Sequence, residues 1–215
     1  SASSSFRARL ENLRRGEYEG LKNQKINQNL IPDYGKKLFN KQSGATIIGV
    51  RNLLVAYNIN LNTGSKEIAQ NIAKKIRESG YIKTDKKGKI LYDINNQPKR
   101  SYGKLKNCKA IGWYSNYYKK AQVSFNVTNL SDTPLHTLFD LTYEEALKYD
   151  VKVSGSEVVG LVTKSALLDS GKFYSKKNKQ NKYNENQLIE LAVEKLGLND
   201  LYHFEANKKI IENFI

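Results

Sequence analysis

KQSGATIIGVRNLLVAYNINL, residues 41–61, sets Gly44 and Gly49 in a G-x-x-x-x-G frame ahead of an apolar run. A nucleotide phosphate loop has that frame. It also needs a lysine and a serine or threonine directly after the second glycine, to reach the terminal phosphates and Mg²⁺. Val50 and Arg51 stand there instead. The glycines precede the β-rich run rather than joining a strand to a helix, and the dinucleotide pattern G-x-G-x-x-G is missing. A nucleotide-binding reading therefore fails on its own chemistry. What remains is a strand: residues 49–61 are dense in Val, Leu, Ile and Tyr, and Ile59 and Leu61 alternate with Asn58 and Asn60.

Outward from that strand the chain alternates helical and β patterns. Ile68, Ile72 and Ile76 recur every four residues, which predicts a helix over 65–79 capped by Ser65 and stopped at Gly80. Residues 81–107 show no sustained period and contain turn-forming Asp-Lys-Lys-Gly and Asn-Gln-Pro, as a protruding loop or hairpin would. Residues 108–118 and 121–130 are two β-rich runs joined by a short turn. Thr133 can cap the next helix, with Pro134 at its first position. A fourth strand is predicted over 151–162 and helices over 165–175 and 187–196, with a basic low-complexity linker, KKNKQNKYNEN, at 176–186. Before the first strand, residues 1–21 are helix-compatible with turns at Gly16 and Gly20, and 23–44 read mostly as loop. The order strand, helix, strand, strand, helix, strand predicts an α+β domain with a ferredoxin-like split βαβ sheet and helices on one face.

Composition narrows the partners. The chain has 215 residues, a net charge of +15 and mean hydropathy −0.63. Eight Lys or Arg crowd residues 81–106 and six Lys crowd 164–183, which suits an anionic partner: a nucleic acid, an acidic membrane surface or a polyanionic ligand. No apolar run approaches the roughly 18 residues a bilayer span needs. A single cysteine, Cys108, leaves no internal disulfide and fits a reducing, cytoplasmic setting. The sequence opens SASSSF without methionine, as a processed or trimmed chain or the tail of a longer one would.

Catalytic and metal patterns are sparse. Two histidines, His136 and His203, and one cysteine form no cluster with metal-ligand spacing. His136, near a helix start, reads as a structural histidine, and Cys108 as a small buried thiol. Trp113, Tyr114, Tyr117 and Tyr118 could stack a base or a pterin ring, but aromatics in a hairpin more often pack across strands. Glu17 and Glu19 read as helix-surface charge. Glu157 lies in an apolar strand, so it must face out of the core or find a partner.

Several stretches, in order, resemble the formiminotransferase family: RRGEYEGL (14–21), PDYG (32–35), GATIIGVRNLLVAYNINLNT (44–63), AIGWY (110–114), AQVSFN (121–126), TPLHTLF (133–139), GSEVVGLVTKSALLDSGKFY (155–174), LGL (196–198) and KIIENFI (209–215). The resemblance implies transfer of a formimino group from N-formimino-L-glutamate to tetrahydrofolate in histidine degradation. It implies a duplicated fold of two ferredoxin-like halves with a folate tunnel between them. Residues 1–43 would be the end of the N-terminal subdomain with the folate loop, and 44–215 the C-terminal subdomain. The folate loop corresponds to GKKLFNKQSG. Gly35, Phe39 and Gly44 match its pattern; Lys36, Lys37, Asn40, Lys41, Gln42 and Ser43 depart from it yet suit an anionic ligand; and the whole decapeptide, Leu38 included, is the candidate binding set.

The family's general-base histidine lies in a His-Pro segment of the N-terminal half, which these residues do not contain, so no catalytic residue is assigned within the chain. The implied partners are folate, formiminoglutamate, the rest of the N-terminal subdomain and a second copy in a homodimer. No metal, nucleic acid or membrane is implied. Two other readings stay open: a non-catalytic folate-binding or interaction module, and a basic nucleic-acid-binding α+β domain.

Overall fold

The computed structural model describes residues 6–7, 10–15, 17–23, 30–35, 39–179 and 182–215. They divide into two compact units, Ser1–Arg51 and Asn52–Ile215. The first unit contains two short helices, α1 (Leu10–Leu13) and α2 (Glu17–Asn23). Gly20 falls inside α2 rather than at a turn; Gly16 lies outside the described residues.

The second unit grows from β1 (Val55–Leu61). The apolar run predicts a strand from Gly49, but Ile48 and Val50 are almost fully exposed and the strand starts only at Val55. The reason is pairing. β1 lies antiparallel between β5 (Lys120–Val127) and β6 (Val153–Val159), and those neighbours end opposite it, at Val127 across from Val55 and Val159 across from Ala56. Among the described residues, the pairing of both neighbours with β1 stops at that level.

β4 (Cys108–Ser115) pairs antiparallel with β5 as a hairpin, which gives the order β4-β5-β1-β6. Counting these four strands along the chain, that order is 2-3-1-4, with α3 (Lys66–Ile76) and α4 (Leu135–Leu147) as the crossovers. This is the ferredoxin-like split βαβ arrangement expected from the sequence.

Strand periodicity divides the sheet into two unlike faces. Val55, Tyr57, Ile59 and Leu61 of β1 and Ala121, Val123, Phe125 and Val127 of β5 are buried on one face and form the core with α3 and α4. Burying each large side chain contributes about 1.5–3 kcal/mol, so this face dominates stability. Ser65 caps α3 as expected, its hydroxyl accepting from Ile68 N at 3.3 Å, and Ala69, Ile72, Ala73 and Ile76 face the sheet. The helix ends at Ile76, short of residue 79, because Arg77 turns to extended backbone.

The start of α4 differs from expectation. Pro134 takes the cap position without a side-chain bond, and Thr133 is buried and donates its hydroxyl to Lys106 O at 2.5 Å. Thr133 thus ties the helix start to the segment entering β4 instead of capping the helix.

α5 (Lys164–Lys177) is capped by Thr163. α6 (Glu185–Lys195) begins two residues ahead of the predicted 187, because Asn184 and Gln187 form a reciprocal capping box. The chain closes with α7 (Ala206–Lys209) and a 3₁₀ turn, Ile211–Asn213. Two backbone bonds clamp this end to the segment after β6: Val162 N to Lys209 O at 2.9 Å, and Ile211 N to Val162 O at 3.0 Å.

The basic arm between α3 and β4 is ordered by its own turns. β2 (Tyr81–Ile82) and β3 (Arg100–Ser101) pair at its base. Beyond them Asp85 Oδ1 accepts from Lys87 N and Lys89 N, and Asp93 Oδ1 accepts from Asn95 N and Gln97 N. The same turn therefore occurs twice, eight residues apart. Both arm carboxylates are occupied by backbone donors, while the arm lysines are exposed.

Candidate functional site

The face of the sheet opposite α3 and α4 carries polar side chains where the other face carries the core. Asn58 and Asn60 of β1, Gln122 and Ser124 of β5 and Glu157 of β6 share it by register, with Ile111 and Trp113 of β4. Burial of such groups is costly unless they are paired, and here nearly all are. Glu157 accepts from Asn58 Nδ2 and from the Tyr202 hydroxyl, both at 3.3 Å. It faces out of the core with partners, as its place in an apolar strand required. Burial, reinforced by the Glu157 charge, pushes the Tyr202 phenol up to about 12.

At the other end of this face Asp200 Oδ2 accepts three bonds, from Lys120 Nζ, Asn60 Nδ2 and Ser154 Oγ, each 2.9 Å. Burial raises the Asp200 carboxyl, but these hydrogen bonds and the Lys120 charge outweigh it and hold its pKa below the ordinary value. Asn60 Oδ1 in turn accepts from Gln122 Nε2 at 2.6 Å. A glycine makes the arrangement possible. Gly155 stands opposite Asn60, and a Cβ there would lie 2.3 Å from Asp200 Cβ and 2.5 Å from Gly197 O. With no side chain in the way, Asp200 reaches across β6 to β1. Ser156 N also donates to Gly197 O at 2.9 Å, so the GSEVV and LGL stretches meet directly.

The loop singled out in sequence lies in the first unit. Lys36, Lys37 and Leu38 fall outside the described residues. Gly35 is exposed with φ 87°. Phe39 packs edge-on against Tyr18, ring centres 5.3 Å apart, and the Tyr18 hydroxyl donates to Lys41 O at 2.7 Å. Asn40 organises the tip: its carbonyl accepts from Gly44 N at 2.8 Å, and its Oδ1 accepts from Gln42 N at 2.9 Å and Ser43 N at 3.1 Å. These backbone donors are spent inside the turn. What the tip offers a ligand is the exposed side chains of Lys41, Gln42 and Ser43.

The sequence profile of the formiminotransferase domain matches residues 56–215, and that of its N-terminal subdomain matches 1–51. This chain belongs to the formiminotransferase family. A formimidoyltransferase-cyclodeaminase of Dictyostelium discoideum is 36% identical over 215 residues, covering 100% of this chain and 37% of that protein. One of Gallus gallus is 39% identical over 209 residues, 97% of this chain and 36% of that protein. A glutamate formimidoyltransferase of Streptococcus pyogenes serotype M1 is 36% identical over 174 residues, 81% of this chain and 51% of that protein. The chain thus spans between about a third and about half the length of these relatives.

Within this formiminotransferase chain the other candidates resolve by geometry. His136 stacks on Phe173, ring centres 4.2 Å apart and planes 15° apart, but its Nδ1 is buried without a hydrogen-bond partner. The structural reading holds for its packing and not for its satisfaction. Burial pushes the imidazole pKa below its usual value, against the raising effect of Asp140 and Asp169. His203 is exposed. Cys108 is buried, and burial pushes its thiol up to about 11.

The aromatic cluster is split: Trp113 lies on the polar face, Tyr114 alternates to the other, and Tyr117 and Tyr118 pack edge-on in the turn between the strands. Glu17 pairs with Arg14 at 3.2 Å. Some of the basic surplus is neutralised locally, Lys104 and Lys148 on Glu145 and Lys164 on Glu185. Among the described residues no group of His, Cys, Asp and Glu is disposed to hold a metal ion, and no helix is long and apolar enough to cross a membrane.

Sequence reasoning missed Asn60, Gln122 and Asp200. A signal was present for two of them: Asn60 and Gln122 are large amides inside β-rich runs, where a polar side chain demands a partner. Nothing local marks Asp200, whose role comes from the distant Gly155.

Proposed function

We propose that this chain forms the folate-facing part of a glutamate formiminotransferase. The observation that carries the reading is the family profile across residues 56–215. The polar sheet face supports it as a wall against which a ligand rich in hydrogen-bonding groups can lie. In this reading the protein transfers a formimino group from N-formimino-L-glutamate to tetrahydrofolate in histidine degradation, in the cytoplasm and as a homodimer. Residues 1–43 complete an N-terminal subdomain and 44–215 form the C-terminal one.

Tetrahydrofolate is the acceptor substrate, and the residues present fit it. Its glutamate carboxylates suit the exposed Lys41 with Lys36 and Lys37, through charge-assisted bonds from side chains. The acceptor nitrogen is a weak nucleophile whose proton must leave as the new C–N bond forms. Transfer therefore needs a positioned base and a fixed approach of the two substrates. In this reading neither His136, stacked on Phe173, nor the exposed His203 takes the general-base role, which falls to the family's His-Pro segment. The chain's own work is to bind and orient.

The test is titration calorimetry of polyglutamyl tetrahydrofolate on the full-length gene product. Removing three charges by Lys36→Gln, Lys37→Gln and Lys41→Gln together is expected to weaken binding by about tenfold, at ~0.5 kcal/mol per ion pair lost. An unchanged affinity would remove the loop from the folate site.

A further inference from the structure

Among the described residues on the polar face of the sheet, one buried side-chain atom has no hydrogen-bond partner: Oε1 of Gln122, a residue with no exposed surface. Its role as an acceptor is set from the far end of a relay. Asp200, ionised beside Lys120, can only accept hydrogen bonds. Asn60 must therefore turn Nδ2 towards Asp200 and Oδ1 away from it. Gln122 must answer that Oδ1 with Nε2, which leaves Oε1 as the free end. The three residues come from β1, β5 and the loop after α6, so the polarity of the amide is built by the fold and not by a local turn. Across the strand pair Gln122 stands opposite Trp113, itself 38% exposed on the same face.

We propose that Gln122 Oε1 accepts a hydrogen bond from the imino N–H of the formimino donor, and that the relay anchored on Asp200 makes the site select formimino over formyl. This deepens the function proposed above and rests on it. The two donor groups have the same shape but opposite polarity at the terminal atom. A formimino group ends in N–H, which donates; a formyl group ends in a carbonyl oxygen, which can only accept. An amide able to swivel would serve both. One held by Asp200 through Asn60 faces a formyl oxygen with its own lone pairs and leaves both groups unsatisfied, the situation that gives sites built around one hydrogen bond their large discrimination. Gln122 is then a binding residue, and Asn60 and Asp200 are positioning residues.

Two readouts on the full-length gene product test this. The first compares kcat/KM for N-formimino-L-glutamate and N-formyl-L-glutamate with tetrahydrofolate as acceptor. Wild type is expected to favour formimino. Gln122→Met, which keeps the bulk and removes the acceptor, is expected to lose at least tenfold of that preference. Asp200→Asn frees both amides to reverse and is expected to shift it at least tenfold towards formyl. A preference unchanged in both variants overturns the inference.

The second readout needs no variant to fold and no turnover: the side-chain amide resonances of Gln122 in ¹⁵N-labelled wild type. They are expected to shift on saturation with N-formimino-L-glutamate and not with N-formyl-L-glutamate. Equal responses, or none, overturn the inference, as when a resident water fills the acceptor. A selective shift without transfer keeps the site and overturns the assigned reaction.

Discussion

Gly112→Ala should separate the helix layer from the sheet. Gly112 lies in β4 on the helix-facing side, and its N–H donates to Gln70 Oε1 of α3 at 2.7 Å. A Cβ there would sit 2.0 Å from Gln70 N, 2.3 Å from Ala69 C and 2.4 Å from Gln70 Cα. All three are backbone atoms, so no side-chain rotation relieves the clash. Restoring an ordinary contact near 3.4 Å requires α3 to retreat by about 1.4 Å at that point. Ala69, Ile72, Ala73 and Ile76, all fully buried, would retreat with it.

Overpacking a core costs about 1–3 kcal/mol, and a clash with helix backbone belongs at the top of that range. About 3 kcal/mol corresponds to a fall in Tm of roughly 6–12 °C for a chain of this size. Urea and thermal unfolding followed by circular dichroism measure it. Gly49→Ala is the control, since nothing lies within 4 Å of the added Cβ, and it should stay within about 0.5 kcal/mol of wild type. Equal stability of the two variants would refute the close seating of α3 on β4.

The buried His136 should make stability depend on pH. Its folded pKa is lowered, so the unfolded chain binds more protons below its ordinary value of about 6.5, and stability should be lost as pH falls below that value; His136→Phe, which keeps a ring against Phe173, should flatten urea-derived stability below about pH 6.5. Asp200 and Glu145 have lowered folded pKa values, each held down by lysine partners against the raising effect of burial. Stability they supply is present above the unfolded carboxylate range and should be lost as pH falls below about 4, visible in an acid titration by circular dichroism and smaller in Lys120→Met. Cys108 should resist thiol reagents at pH 8 in the native protein and react promptly in denaturant, because its thiol is raised to about 11 by burial; rapid native labelling would contradict the packing of β4.

The strand order was legible in sequence because each core strand carries its own alternation and α3 its own four-residue repeat. Element ends were less legible, since they depend on partners. β1 begins where Val127 and Val159 end, which no property of residues 49–54 announces. Thr133 has the side chain of a cap but finds Lys106 O closer. The family's residues were legible as ordered motifs, while the polar relay was not: Asn60 and Gln122 pair across the strands, and Asp200 joins them because Gly155 leaves room for it. At the loop tip, too, nothing in the sequence announces that the Asn40 side chain takes the N–H groups of Gln42 and Ser43.

We propose that this chain supplies the folate-facing wall of a formiminotransferase and that the proton chemistry is supplied by another segment. The most direct test is product formation, read by mass spectrometry, from N-formimino-L-glutamate and tetrahydrofolate, with the full-length gene product and the 215-residue chain assayed side by side. Formiminotetrahydrofolate is expected from the full-length protein and none from the chain alone. Turnover by the 215 residues by themselves, or no transfer by the full-length protein, would contradict it.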